Sequence, residues 1–169
     1  SPAALCRPAV QPQVIVNGGV TLWAKGILTQ DPTARMALYA DAWESAERRF
    51  LLRAVSADDT VMDLGACIGV VTLAAARRAR RVIAVEPNTV ASALLDLHVR
   101  LNGQGQKVNV VERLVTAKSS RGEAVLYSEG GLASASTTRR RGAPSRCEPV
   151  ELNELIRSWS PTVLVCDIE

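Results

Sequence analysis

The segment Val61-Met62-Asp63-Leu64-Gly65-Ala66-Cys67-Ile68-Gly69, followed after an apolar run by Val82-Ile83-Ala84-Val85-Glu86-Pro87-Asn88, constrains this chain more than any other feature. Residues 60–64 form a short apolar, β-branched run that reads as a buried strand, and Val70 opens a segment that reads as a helix. Between them the glycines mark a tight turn. Gly65 accepts backbone angles that a Cβ would forbid, and Gly69 is expected to let ligand and backbone approach closely at the helix start. A second buried strand over residues 81–85 ends in Glu86. In doubly wound α/β folds a carboxylate at that place reaches the two ribose hydroxyls of a bound nucleoside.

Two classes of nucleoside cofactor use the order strand, turn, helix, strand, acid. A dinucleotide fingerprint reads G-x-G-x-x-G and rests a pyrophosphate on the helix N-terminus. This chain has Cys67 in place of the middle glycine and a carboxylate, Asp63, two residues before the first. Negative charge repels a pyrophosphate and attracts an ammonium group, so the pattern favours S-adenosylmethionine over a nicotinamide dinucleotide. The competing structural reading is that Asp63 caps the turn and the glycines serve only tight packing.

VMDLGACIG (61–69), AVEPN (84–88) and VLVCDIE (163–169) together resemble successive signatures of the FkbM-type methyltransferases, over roughly residue 43 to the end of the sequence. That resemblance implies a Rossmann-like class I methyltransferase sheet, mostly parallel, and O-methylation of a small-molecule or sugar hydroxyl with S-adenosylmethionine. It implies that Asp63 and the backbone of Gly65 hold the methionine end of the cofactor, with Ala66, Cys67 and Gly69 in the same turn. Glu86 would bind the ribose, and Pro87 and Asn88 would border the adenine. Asp167 would face the sulfonium and the acceptor, with Glu169 beside it, and residues 134–138 would help to frame the site. The chain departs from the pattern at Val165, where lysine is frequent, and at Cys67, where asparagine is common. The family pattern continues past Glu169, so the sheet is expected to be incomplete on its C-terminal side, in a fragment or a shortened relative. An incomplete sheet leaves an apolar strand edge over residues 163–166, through which a dimer could form.

A chain of 169 residues, 47% hydrophobic and 22% charged, is long enough for one domain with a sizeable core. A boundary near residue 30 would separate an N-terminal extension (1–30) from a cofactor-binding domain (31–169). Arginines cluster at 77, 78, 80 and 81 and again at 139, 140 and 141, within a formal charge of +3. The first cluster closes a helix, where cations meet the dipole favourably, and the second lies in a polar stretch. Three Trp, two Tyr and one Phe leave little for base stacking, so nucleic acid is an unlikely partner, and the resemblance implies a small hydroxylated acceptor in its place. An RNA methyltransferase and a cofactor-binding domain without activity remain as alternatives. The four cysteines lack C-x-x-C spacing, so no metal site is expected; Cys67 and Cys166 are expected as buried thiols. The first 13 residues contain no long apolar run, which with reduced thiols points to a cytoplasmic protein without a membrane span.

Local signals place the remaining elements. Residues 14–16 and 20–24 flank Asn17-Gly18-Gly19, a hairpin signal. Asp31-Pro32 reads as a helix start, and residues 34–55 as helical with a break near Asp41. Trp43-Glu44 matches an aromatic-glutamate pair near the cofactor in the FkbM relatives, unless Trp43 merely packs a helix onto the sheet. Residues 89–101 have helical spacing with Asn102-Gly103 as the stop, 108–111 read as a third strand, and 122–127 as an extra extended segment. His98, the single histidine, lies far along its helix from the strand ends, which argues against catalysis. Residues 128–149 read as a long surface loop, 151–158 as a short helix and 162–166 as a buried strand.

Overall fold

The computed structural model describes residues 14–23, 38, 40–117, 122–128, 135–137 and 142–168. The helix start expected at Asp31-Pro32, the arginines at 139–141, Cys6 and Glu169 lie outside these residues. The described residues open with a hairpin of β1 (Val14–Asn17) and β2 (Val20–Trp23), in register from Val14↔Trp23 to Asn17↔Val20. Its two turn residues, Gly18 and Gly19, have φ of 58° and 77°. Both angles lie in the left-handed region that two-residue hairpin turns demand.

Helix α1 (Ser45–Ala54) leads into a regular alternation: β3 (Thr60–Leu64), α2 (Val70–Ala76), β4 (Arg81–Val85), α3 (Thr89–Leu101) and β5 (Val108–Val111). Short strands β6 (Leu114–Thr116), β7 (Ala124–Ser128), β8 (Ala135–Ser136), β9 (Ala143–Cys147) and β10 (Pro149–Glu151) come next. The last elements are α4 (Leu152–Trp159) and β11 (Val163–Cys166). The central sheet has the order β11-β3-β4-β5 and is parallel throughout. Its register aligns Cys166 with Leu64, Leu64 with Val85 and Val85 with Val111, so four strands end along one rim.

Strand β3 is buried at all five positions because the sheet is covered on both faces. Val61, Val82, Ala84 and Val108 join Leu51 of α1, Leu73 of α2, Leu95 of α3 and the hairpin residues Ile15 and Leu22 in one core. Met62, Leu64, Ile83 and Val85 form a second core with Leu155 of α4, flanked by Val115 and Val150. Helix α2 is buried all round, as its wholly apolar sequence, broken only by Thr72, requires. Lys107 Nζ donates to the last carbonyl of this helix, Ala76 O, at 3.2 Å and, beyond the helix, to Ala79 O at 3.1 Å. No helix among the described residues is long and apolar enough to cross a membrane.

Where a loop is expected over residues 128–149, the structure has β9 running antiparallel to β7 along its full length, from Ala124↔Cys147 to Ser128↔Ala143. With β8 they form a separate sheet, β8-β7-β9. Four of the five β9 residues are exposed, so backbone pairing rather than apolar alternation makes the strand, and the sequence carries no period to announce it. Pro144 is tolerated there because β9 is an edge. Cys166, expected inside, is exposed, since β11 is the outer strand of the central sheet.

Candidate cofactor site

The glycine-rich turn folds back over the end of β4. Gly65 and Ala66 both donate their N–H to Val85 O, at 2.9 and 3.1 Å, and Gly65 has φ 84°. A Cβ on Gly65 would lie 2.1 Å from the carbonyl oxygen of Asp167, so the glycine lets the segment after β11 close against the turn. Gly69, expected to admit a ligand, instead admits a side chain: a Cβ there would meet Leu95 Cδ1 at 2.3 Å. Its absence of a side chain serves the packing of α3 against the start of α2.

Glu86 is buried at the tip of β4, with Oε2 accepting the N–H of Cys67 at 2.9 Å and Oε1 that of Asn88 at 2.7 Å. Burial raises its pKa, against the two N–H donors that favour the charged form, with Asp63 and Glu112 adding repulsion. Each oxygen keeps lone-pair capacity for a ligand hydroxyl. Asn88, expected to border an adenine, is the N-cap of α3: its Oδ1 accepts from Val90 N at 3.0 Å and Ala91 N at 3.3 Å.

Asp63 neither caps the turn nor lines a cavity. It is 2% exposed within β3, and its Oδ2 accepts the Thr72 hydroxyl of α2 at 2.5 Å. Burial pushes its pKa up to about 6, reinforced by the charge of Asp167 and opposed by the Thr72 hydrogen bond. Thr72 carried no signal in the sequence beyond being the one polar residue of an apolar helix.

A cavity of about 280 Å³ opens at the rim of the parallel strands. The turn contributes Gly65 and Cys67, the end of β4 contributes Val85, Glu86 and Pro87, and Asp167 and Ile168 follow β11. Leu114, Val115 and Thr116 of β6 and Leu126 of β7 also line it, with Thr137 from the stretch expected to frame the site. Glu44 completes the lining from the turn before α1. Burial first, then the charge of Asp63, raise its pKa to about 7, with smaller contributions from Asp167 and Glu47. The Trp43 indole draws that pKa back down. Its Nε1–H is nevertheless a buried donor without an acceptor in hydrogen-bond geometry among the described residues. Asp167 is exposed at the rim, its N–H donating to Leu64 O at 3.0 Å.

The described lining contains three carboxylates and no lysine or arginine. Such a surround fits a cationic nucleoside, whose sulfonium and ammonium it would attract, and repels a dinucleotide pyrophosphate. Among the described residues no cluster suits a metal ion. His98 is structural: its Nε2 accepts the Trp23 N–H at 3.0 Å, so the proton sits on Nδ1, which donates to Ile68 O at 2.8 Å. The first arginine cluster is committed elsewhere, with Arg77 on Gly18 O, Arg78 on Val55 O, Arg80 on the Thr60 hydroxyl and Arg81 over the Trp159 ring. Arg81 and Thr60 begin their strands, opposite the rim that carries the cavity.

Among solved structures the chain is similar to a precorrin-8W decarboxylase of Methanobacterium thermoautotrophicum (29% identity, TM-score 0.38), covering 40% of this chain and 37% of that one. It is similar to aTrm5 in complex with tRNALeu (23% identity, TM-score 0.46), covering 59% and 27%. It is also similar to the tRNA m1G37 methyltransferase of M. jannaschii (19% identity, TM-score 0.43), covering 64% and 35%. The chain thus spans less than two fifths of the length of each of these proteins. No curated protein matches it.

The family described as TRM5/TYW2 methyltransferase domain matches residues 33–127, more than half of the chain, including the glycine-rich turn, Glu86 and Glu44. This overturns the FkbM resemblance. The glycine turn and the acid after the second strand follow from binding a nucleoside at the rim of a parallel sheet, so they mark the cofactor, S-adenosylmethionine, and not the subfamily. The expectation that a nucleic-acid partner is unlikely, drawn from sparse aromatics and from arginines at a helix end and in a polar stretch, falls with it. The chain belongs to the TRM5/TYW2 methyltransferase domain family.

Proposed function

We propose that this chain carries the cofactor site of an S-adenosylmethionine-dependent methyltransferase acting on transfer RNA. The family match over residues 33–127 supports both the methyl donor and the transfer RNA substrate. The observation that carries the cofactor reading is the acid-lined cavity at the rim of the parallel sheet, free of lysine and arginine in its described lining.

When bound, the cofactor supplies a methyl group on a positively charged sulfur. Glu86, held by the Cys67 and Asn88 N–H groups, offers its remaining lone pairs to the ribose hydroxyls. Cys67, in a left-handed conformation at φ 48°, turns its backbone N–H toward Glu86 and so fixes that carboxylate against the turn. Asp63 acts from beneath by its field, since its carboxylate is occupied by Thr72 and lies outside the lining. Asp167, exposed at the rim, orients the acceptor or takes its proton. The described arginines at 77, 78, 80 and 81 face away from the cavity, so RNA contacts near it are assigned to other residues.

The test is transfer of labelled methyl from S-adenosylmethionine to transfer RNA by the protein containing this chain. Label is expected in the RNA, and Asp167→Asn is expected to lower turnover roughly 100-fold, well beyond its weakening of the donor. A protein that binds the cofactor yet labels no transfer RNA would overturn the substrate assignment.

A further inference from the structure

Glu44 stands apart from the two motifs that define the cavity. It enters from the turn before α1, in a left-handed conformation at φ 46°, three residues after Asp41, which is left-handed too at φ 54°. Such angles are unfavourable for residues bearing a Cβ and persist where the surroundings enforce them. The enforcing group is Arg48, 5% exposed, whose Nε donates to Trp43 O at 3.0 Å and whose Nη2 donates to Asp41 O and Asp41 Oδ1, both at 3.1 Å. Asp41 Oδ1 also accepts the Gly18 N–H of the hairpin at 2.6 Å. The turn is therefore clamped on both sides and holds a glutamate in the cavity wall.

Among the described residues the charged groups that act on Glu44 are acids: Asp63 from β3, Asp167 after β11 and Glu47 from α1. The nearby guanidinium of Arg48 is spent on two carbonyls and Asp41. Without a ligand, burial and the neighbouring acids make a further negative charge on this wall unfavourable.

We propose that Glu44 is a specificity-determining residue which, together with Asp63 and Asp167, makes the cavity prefer the sulfonium-bearing methyl donor over the neutral thioether that remains after transfer. This rests on the cofactor reading above. S-adenosylmethionine carries one more positive charge than S-adenosylhomocysteine and is otherwise larger by a single methyl group. With its pKa raised to about 7, Glu44 holds a proton in much of the free protein at neutral pH. The arriving cation favours the carboxylate, so that proton is released to solvent as the donor binds. Methyl transfer removes the positive charge, Glu44 takes a proton back, and the product is held less tightly. The sign follows from the raised pKa. Donor affinity climbs as pH rises through the free-protein value near 7 and levels off above it, while product affinity gains nothing.

The experiment is calorimetry of the full chain with S-adenosylmethionine and with S-adenosylhomocysteine at about pH 6 and about pH 8, repeated on Glu44→Gln. The donor-to-product affinity ratio of the native protein is expected to rise by roughly fivefold or more over that range, with proton release only for the donor. Glu44→Gln is expected to weaken the donor roughly tenfold, leave the product within about twofold and flatten the pH dependence. Retained product binding certifies that the variant is folded, and the native ratio stands as evidence whether or not it is. A native ratio that ignores pH, or equal weakening of both ligands by Glu44→Gln, would overturn the assignment to Glu44 alone. Failure of the native protein to bind either ligand would overturn the cofactor reading and this inference with it.

Discussion

Asp63 shows how one residue can be read for its chemistry and misread for its geometry. Its place before Gly65 points to a cation, yet the carboxylate is sealed under the cavity and satisfied by Thr72, a partner nine residues on that no motif announces. Its folded pKa, about 6, lies above the ordinary 3.8, so its contribution to stability is fully present below 3.8 and is lost as pH rises through 6. Asp63→Asn keeps an acceptor for the Thr72 hydroxyl and removes the buried charge. The variant is therefore expected to melt higher than the native chain at pH 8, by on the order of 1–3 kcal/mol, with the gain vanishing near pH 4. It is expected to bind S-adenosylmethionine more weakly. Thermal melts at the two pH values check the first point, and a destabilised variant at pH 8 would mean that the carboxylate itself holds the fold. Gly69 and Asn88 teach the same lesson. A motif prescribes a residue type, and that type served packing against Leu95 in one case and capping of α3 in the other.

At the scale of elements, β3, β4, β5 and α3 have the bounds that their apolar runs and flanking turns predict, because each is delimited by local chemistry: Gly65 after β3, Pro87 after β4, Asn88 and Gly103 around α3. Strand β9 is the counterexample, since its residues face solvent and only pairing with β7 makes it a strand. The α3 cap offers a clean test. Asn88→Ala removes the acceptor of the Val90 and Ala91 N–H groups and is expected to cost about 0.5–2 kcal/mol in urea unfolding. Because Glu86 is held by the backbone N–H of residue 88 and not by its side chain, cofactor affinity is expected to stay within about twofold. Unchanged stability with a large loss of affinity would restore the adenine-bordering role.

Across the whole molecule, His98 ties three distant segments together. From α3 it donates to Ile68 of the glycine-rich turn and accepts from Trp23 of the hairpin. Burial lowers its pKa below the ordinary 6.5, so the stability it lends is present above 6.5 and is lost as pH falls through that value toward the folded pKa, where the imidazolium can no longer accept the Trp23 N–H. Acidification to about pH 5 is thus expected to loosen the hairpin, with the Trp23 amide losing protection in hydrogen exchange once intrinsic rates are corrected for pH. Equal protection at pH 5 and pH 7.5 would show that the hairpin is held by its apolar face alone. What the sequence by itself determined was the alternation of strand and helix, the tight turn at Gly65 and the class of cofactor, because backbone preference and turn chemistry act over a few consecutive residues. Its reading of family and partner failed where a motif shared by many nucleoside sites was taken for the mark of one of them. Only the tertiary structure decided that Asp63, read as a direct cofactor ligand, is sealed on Thr72 outside the cavity that Glu44, Glu86 and Asp167 line. Burial and Coulomb coupling depend on separation in space, which strand order and register set and which no local pattern records.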